Sequence, residues 1–128
     1  MKKYNYYLLV AGTLNALTAI LHLIGGQLDL VNPMLESGLS KSVKTQLLSV
    51  WHMVTIVLFA TTLLYFLYAK NKIRRFNPKL ISFISYLYIL FSFSFIISSF
   101  FQNVFTEQWI LLLPIGILGL VGSKKNGF

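Results

Sequence analysis

Two histidines, His22 and His52, are the side chains of this 128-residue chain best suited to do chemistry. Both lie inside apolar stretches, about 4 and 8 Å below the same boundary at a helical rise of about 1.5 Å per residue. Imidazole titrates near neutral pH and is the commonest side-chain ligand of metals in proteins. Ionisable groups inside membrane spans are costly, so they are candidates for functional sites by default.

The three acids of the chain, Asp29, Glu36 and Glu107, lie in segments that adjoin the same boundary. Two imidazoles with one or two carboxylates suit a divalent transition metal such as zinc, copper or iron. His22, His52, Glu36 and Glu107 therefore form a candidate metal site. Alternatively, the two histidines could ligate a haem iron, or one of them could relay protons or act as a general base.

A structural role for the histidines is the competing interpretation. A neutral histidine near a helix end can hydrogen-bond a serine, an asparagine or a backbone carbonyl and hold helices together. No P-loop, nucleophile elbow or His-Glu-x-x-His motif occurs in the chain. The sequence thus identifies no reaction, and it assigns no catalytic or cofactor-binding residue.

These groups must be positioned by four apolar stretches, which are residues 6–24, 47–68, 80–101 and 106–121. The first three contain no Asp, Glu, Lys or Arg, while the fourth is shorter and contains Pro114. A membrane-spanning helix needs about 20 mostly apolar residues. Charged residues make up only 11% of the chain, against about 25% in soluble domains. We therefore predict an all-α fold, a four-helix transmembrane bundle that forms one domain over residues 1–128 and has the lipid bilayer as its main partner.

The basic residues sort to one side of such a bundle. The net charge is +8, and nine of the eleven Lys and Arg residues fall on the side of the termini: Lys2, Lys3, Lys70, Lys72, Arg74, Arg75, Lys79, Lys124 and Lys125. Because Lys and Arg concentrate in short cytoplasmic loops, we expect both termini in the cytoplasm and the protein in the plasma membrane. The basic loop lacks an aromatic stacking array, so we expect no nucleic-acid partner.

Two further features of the composition bear on processing and on chemistry. Lys2-Lys3, the apolar run after them and the small residues near Ala16 and Ala19 resemble a secretory signal, but the run continues through Ile24, which favours a retained span. The chain has no cysteine, which excludes disulfides, thiolate metal sites and cysteine nucleophiles.

Small and polar residues recur at helical spacing. Asn15 shares a face of the first stretch with Gly12 and Ala19, and this face should pack against other helices. In the third stretch Ser85, Ser92 and Ser99 are seven residues apart, which predicts a narrow polar seam against another helix. The glycines of the fourth stretch should allow close packing: Gly116, Gly119 and Gly122. Tyr65, Tyr68 and the aromatics of the third stretch are interpreted as boundary, packing and lipid-contact residues.

The ends of the helices are also predicted. Gly25-Gly26 should end the first helix and begin an outer loop that extends to residue 46. The run from Ser40 contains no helix breaker, so the second helix could begin before Leu47. Asn77-Pro78 predicts a turn followed by the start of the third helix.

Three functions remain open at this point. The first is a non-enzymatic accessory or anchoring protein, or a ligand-binding bundle with a histidine-containing cavity near the outer face, whose partner is another membrane protein or a second copy of the chain. The second is a metal- or haem-dependent membrane enzyme or redox component that uses His22 and His52. The third is a subunit of an oligomeric transporter or channel.

Overall fold

The computed structural model describes residues 4–70, 77 and 79–125, and every regular element among them is a helix. The all-α prediction is confirmed for this part of the chain. The elements are α1 (Tyr6–Gly26), a π-helical turn (Gln27–Val31), α2 (Asn32–Glu36), α3 (Lys41–Ala69), α4 (Leu80–Gln102) and α5 (Gln108–Lys125). Several residues invoked above lie outside the described ones: Lys2, Lys3, Lys72, Arg74, Arg75 and Pro78.

Three helical segments are long and apolar enough to cross a membrane. They are Tyr6–Glu36, Lys41–Ala69 and Leu80–Gln102, with 31, 29 and 23 residues and a mean hydropathy of 1.8, 2.0 and 2.2. At about 1.5 Å per residue each exceeds the roughly 30 Å of a hydrocarbon core. The shorter α5, with 18 residues and Pro114 inside it, is not one of these three. The chain therefore has the helices of an integral membrane protein.

The outer loop predicted for residues 25–46 is wrong in extent. The helical path runs through Gly25 and Gly26, which cost a helix only about 1 kcal/mol each, and continues to Glu36. A π-helical turn precedes Pro33, where a proline without an N–H can be accommodated near a helix start. The link to α3 is only residues 37–40. Ser40 caps α3 by accepting a hydrogen bond from the Val43 N–H at 3.3 Å, so this helix does begin before Leu47.

Helix α3 packs on α1 along a regular seam. Five of its buried residues are spaced alternately by three and four: Thr55, Leu58, Thr62, Tyr65 and Ala69. The half-buried Trp51, Leu48 and Lys44 continue this spacing towards the outer end. Such heptad spacing is typical of helices that cross at about 20° with left-handed packing.

Helix α5 lies between α1 and α4, and its glycines allow both to approach. A Cβ atom on Gly116 would lie 2.8 Å from the Ser85 carbonyl oxygen of α4. On Gly119 it would overlap the Ser85 hydroxyl, and on Gly122 it would lie 2.6 Å from Leu8 of α1. The predicted close packing of these glycines is confirmed. Helix α4 packs mainly on α5, and its contact with α3 is small by comparison.

The start of α1 meets the ends of α3 and α5 at one end of the molecule. The Asn5 backbone N–H donates to the Ala69 carbonyl at the end of α3, at 3.0 Å. The Asn5 side chain donates to the Gly122 carbonyl of α5, at 2.7 Å, and accepts from the Leu8 N–H of its own helix. One buried asparagine thus joins the start of α1 to the ends of α3 and α5. We refer to this end as the inner end and to the opposite end as the outer end.

Candidate functional site

His22 lies against a tryptophan of the neighbouring helix. Its imidazole is half-buried and stacks on the Trp51 indole with ring centroids 3.8 Å apart and an interplanar angle of 13°. The Nε2 atom lies 3.3 Å from the Trp51 carbonyl oxygen. A carbonyl oxygen only accepts hydrogen bonds, so this contact assigns the hydrogen of a neutral imidazole to Nε2.

Gly26 explains how the indole reaches this position. A Cβ atom on Gly26 would overlap the six-membered ring of Trp51, whereas a Cβ on Gly25 would meet nothing within 4 Å. The sequence predicted that Gly25 and Gly26 end a helix, but in the structure Gly26 has another role. Gly26 leaves the space in which Trp51 lies beside His22.

The indole nitrogen of Trp51 is a hydrogen-bond donor that stays unpaired among the described residues of this region. Nε1 is buried, and within the described part of the chain it has no hydrogen-bond partner. An unpaired buried donor costs about 1–3 kcal/mol. The stack on His22 and the fit against Gly26 must therefore offset the burial of an unpaired N–H.

His52 has different surroundings from His22. Its side chain is exposed, one residue along α3 from Trp51, or about 100° around the helix. Among the residues that the structure describes, no hydrogen bond engages its imidazole. The two histidines are therefore not equivalent: one is part of the α1–α3 contact, and the other points away from it.

The predicted metal ligands do not form a binding constellation. Glu36 and Glu107 are exposed, as is Asp29. Within residues 4–70, 77 and 79–125, no group of three or more His, Asp or Glu side chains could hold a metal ion. The metal site proposed from His22, His52, Glu36 and Glu107 thus gains no support from the geometry.

The polar residues of the bundle interior form a connected set. Asn15, fully buried in α1, donates from Nδ2 to the Leu58 carbonyl at 3.1 Å and to the Thr61 hydroxyl at 2.9 Å. Its Oδ1 accepts from the Tyr88 hydroxyl at 2.8 Å. The Thr61 and Tyr88 hydroxyls are themselves 2.6 Å apart. This network joins α1, α3 and α4 at one level of the bundle.

The serines of the predicted seam lie in three different environments. Ser85 is fully buried, 3.1 Å from the Tyr65 hydroxyl of α3, and donates to the Ile81 carbonyl. Ser92 is also buried, but its hydroxyl donates to the Tyr88 carbonyl of its own helix. Ser99 is half-buried, 2.5 Å from the hydroxyl of Thr106 in the α4–α5 link. Only Ser85 makes a hydrogen bond to another helix.

Two buried tyrosines form hydrogen bonds between helices that the sequence did not predict. Tyr65 and Tyr88 are at most 1% exposed, and their rings meet edge to face at a centroid distance of 6.2 Å. Their hydroxyls bond Ser85 and Asn15, whereas the sequence suggested only boundary and packing roles. The usable signal was that a tyrosine deep in an apolar stretch needs a partner for its hydroxyl.

No protein-family model, curated protein or solved structure matches the chain. The functional argument therefore rests on the side chains themselves. Inside the bundle, polar groups bond across helices, and near the outer end one imidazole is exposed beside the α1–α3 seam.

Replacing Gly26 by alanine should disrupt the Trp51 contact, because the new Cβ overlaps the indole. We expect Gly26→Ala to destabilise the protein by about 1–3 kcal/mol, the usual range for overpacking. Gly25→Ala is the matched control, since its Cβ has open space, and should be neutral or slightly stabilising. Reversible unfolding in mixed detergent micelles, followed by Trp fluorescence, measures both. Equal stability of the two variants would contradict the proposed role of Gly26.

Asn15 and Tyr88 should be energetically coupled through their hydrogen bond. Cross-helix hydrogen bonds in membrane proteins contribute about 0.6 kcal/mol on average and up to about 1.7 kcal/mol. We expect a double-mutant cycle of Asn15→Ala and Tyr88→Phe to give a coupling energy of about 1 kcal/mol. The exposed Tyr86 supplies the control, so Asn15→Ala with Tyr86→Phe should be additive. Additivity in both cycles would argue against the network.

Proposed function

We propose that this chain is a small multi-pass protein of the plasma membrane that acts as a non-enzymatic accessory or anchoring subunit. In this proposal α1, α3, α4 and the shorter α5 all cross the bilayer and form a bundle with both termini in the cytoplasm. The bundle interior is a scaffold, and the outward surface of the helices makes the functional contacts.

The arrangement of the helix ends supports four crossings. Asn5 holds the start of α1 against Ala69 and Gly122, near the ends of α3 and α5, so these helix ends share one side. Tyr68 donates to the Asn77 carbonyl just before α4, which brings the start of α4 to the same side. Helix α5, about 27 Å long at about 1.5 Å per residue, nearly matches a hydrocarbon core of about 30 Å.

The charges of the described residues agree with this orientation. Lys70, Lys79, Lys124 and Lys125 lie at the inner end, and Lys125 is tied there by a 2.9 Å hydrogen bond to the Tyr7 hydroxyl. The three acids fall in the segments towards the outer end. Cytoplasmic loops carry the excess of Lys and Arg, so the inner end is assigned to the cytoplasm.

The main support for the accessory role is that polar side chains inside the bundle hydrogen-bond one another across helices. Asn15, Thr61 and Tyr88 satisfy one another and hold three helices together. In lipid an unsatisfied polar group costs several kcal/mol, so such a network fixes which helices pack and in what register. A rigid scaffold of this kind presents fixed helix faces to its surroundings, as an accessory or anchoring subunit requires.

The histidines favour this role over a cavity built around both of them. His22 is engaged by Trp51, whereas His52 is exposed on α3. A ligand cavity built around both imidazoles would have to include the His22 ring, which is already stacked on Trp51 and hydrogen-bonded to its carbonyl. The exposed His52 instead suits a contact made at the surface of the bundle.

The topology can be tested with single cysteines, because the natural chain has none. A membrane-impermeant maleimide applied to intact cells should label Gly38→Cys and Glu107→Cys in the two outer links, and should not label Lys79→Cys or Lys124→Cys. Permeabilised cells provide the control, since all four variants should then react. Labelling of Lys124→Cys from outside would show that α5 does not cross, and labelling of Lys79→Cys from outside would reverse the orientation.

Metal and haem analysis separates this proposal from a metal- or haem-dependent enzyme. We expect detergent-purified protein to contain less than stoichiometric zinc, copper and iron and to have no Soret band. His22→Ala with His52→Ala should leave the metal content unchanged. A stoichiometric metal that disappears in the double variant would replace the accessory role with a cofactor site.

A further inference from the structure

One row of residues on α3 faces away from the bundle and carries polar groups into the apolar part of the helix. Its members are all exposed and are spaced alternately by three and four: Ser42, Thr45, Ser49, His52, Ile56, Phe59 and Leu63. We call this set the outward row. From Thr45 onwards each member of the row comes one residue after a member of the α1-facing seam, so the row is rotated away from that seam by about 100° around the helix.

His52 is the member of this row that needs a partner. It lies five residues beyond Leu47, about 8 Å into the apolar part of α3 at about 1.5 Å per residue. The hydroxyls of Ser49 and Thr45 are satisfied within the helix, since they donate to carbonyl oxygens one turn earlier at 2.8 and 2.9 Å. No such bond is seen for His52 among the described residues, and polar groups within the bilayer usually face protein or water.

Alternating spacings of three and four residues are not unique to the outward row. A row on α1 has the same spacing and is also exposed: Tyr6, Val10, Thr13, Leu17, Ile20 and Ile24. Thr13, the one hydroxyl-bearing residue of that row beyond Tyr6 at the inner end of the helix, donates to the Leu9 carbonyl at 3.0 Å. The α1 row therefore suits lipid, whereas the outward row of α3 presents an imidazole.

We propose that a second copy of this chain covers the outward row, with α3 packed against α3 in a symmetric dimer. The inference rests on the proposed function, in which the bundle acts through its outward faces and α3 crosses the bilayer. Two copies with the same membrane orientation place identical residues at the same depth about a two-fold axis. Alternating spacings of three and four are those of parallel, left-handed helix pairs.

The chemistry of the outward row is self-complementary. A neutral imidazole has one donor and one acceptor nitrogen, so His52 of each copy can bond its counterpart or the nearby Ser49 hydroxyl. The small Ser42, Thr45 and Ser49 side chains let the helices approach closely near the outer end. Towards the inner end the larger Ile56, Phe59 and Leu63 supply apolar contacts.

Disulfide crosslinking tests the dimer directly, again because the chain lacks cysteine. Ser49→Cys and Ile56→Cys should give covalent dimers when native membranes are oxidised with copper phenanthroline at low expression. Val54→Cys, exposed on the opposite side of the same helix, and Leu17→Cys, on the α1 row, should remain monomeric. Equal crosslinking at all four positions would indicate random collision, and none at Ser49 or Ile56 would assign the row to lipid or another protein. Either result overturns the proposal.

A substitution at His52 tests the hydrogen bond separately from the contact. We expect His52→Leu to weaken dimerisation in detergent by about three- to fifteen-fold, the range implied by cross-helix hydrogen bonds in membranes. His52→Gln, which keeps a donor and an acceptor, should retain most of the affinity. Analytical ultracentrifugation measures the association constant. A monomer at all concentrations would refute the dimer while leaving the four-span topology, tested by maleimide labelling, intact.

Discussion

The structure depends on the requirement that polar groups within apolar helices be satisfied by the protein itself. Lipid tails offer no hydrogen bonds, so each side-chain amide or hydroxyl in a span must find a partner on the protein. Asn15 meets this requirement through α3 and α4 together, since it bonds Leu58, Thr61 and Tyr88. A shift of either helix by one turn would break several bonds at once. This cost in free energy gives the bundle a defined register.

Glycine makes these bonds geometrically possible. Tyr65 and Ser85 can meet between α3 and α4 because Gly119 of α5 has no side chain to occupy that space. The same relation recurs near the outer end, where Gly26 accommodates the Trp51 indole. In both places a helix gives up some intrinsic stability, about 1 kcal/mol per glycine, and gains close contact with an aromatic residue of another helix. Each of these two glycines is therefore matched to a large aromatic residue of a different helix.

The two histidines show how the same residue type acquires different roles through its position on a helix. His22 lies on the face of α1 that meets α3, and its ring is stacked and hydrogen-bonded. His52 directly follows Trp51, and one residue of rotation places it outside that contact. The first histidine therefore contributes to the scaffold, and the second is available to whatever adjoins the bundle. The proposed accessory function and the proposed α3 dimer both rest on this difference.

Hydropathy and helical spacing are local properties of the chain, so the residues alone predicted the helical class, the positions of the apolar helices and the inward direction of Asn15 and Ser85. The sequence also marked Ser40 as lying before a helix. It misplaced the outer loop, since the cost of Gly25 and Gly26 to a helix is small. The stack of Trp51 on His22 became visible only in the folded bundle. The same holds for the finding that no three His, Asp or Glu side chains of the described residues form a metal-binding group. Those outcomes depend on which helix faces meet, and residue spacing within one helix carries no information about the rotation of its neighbour.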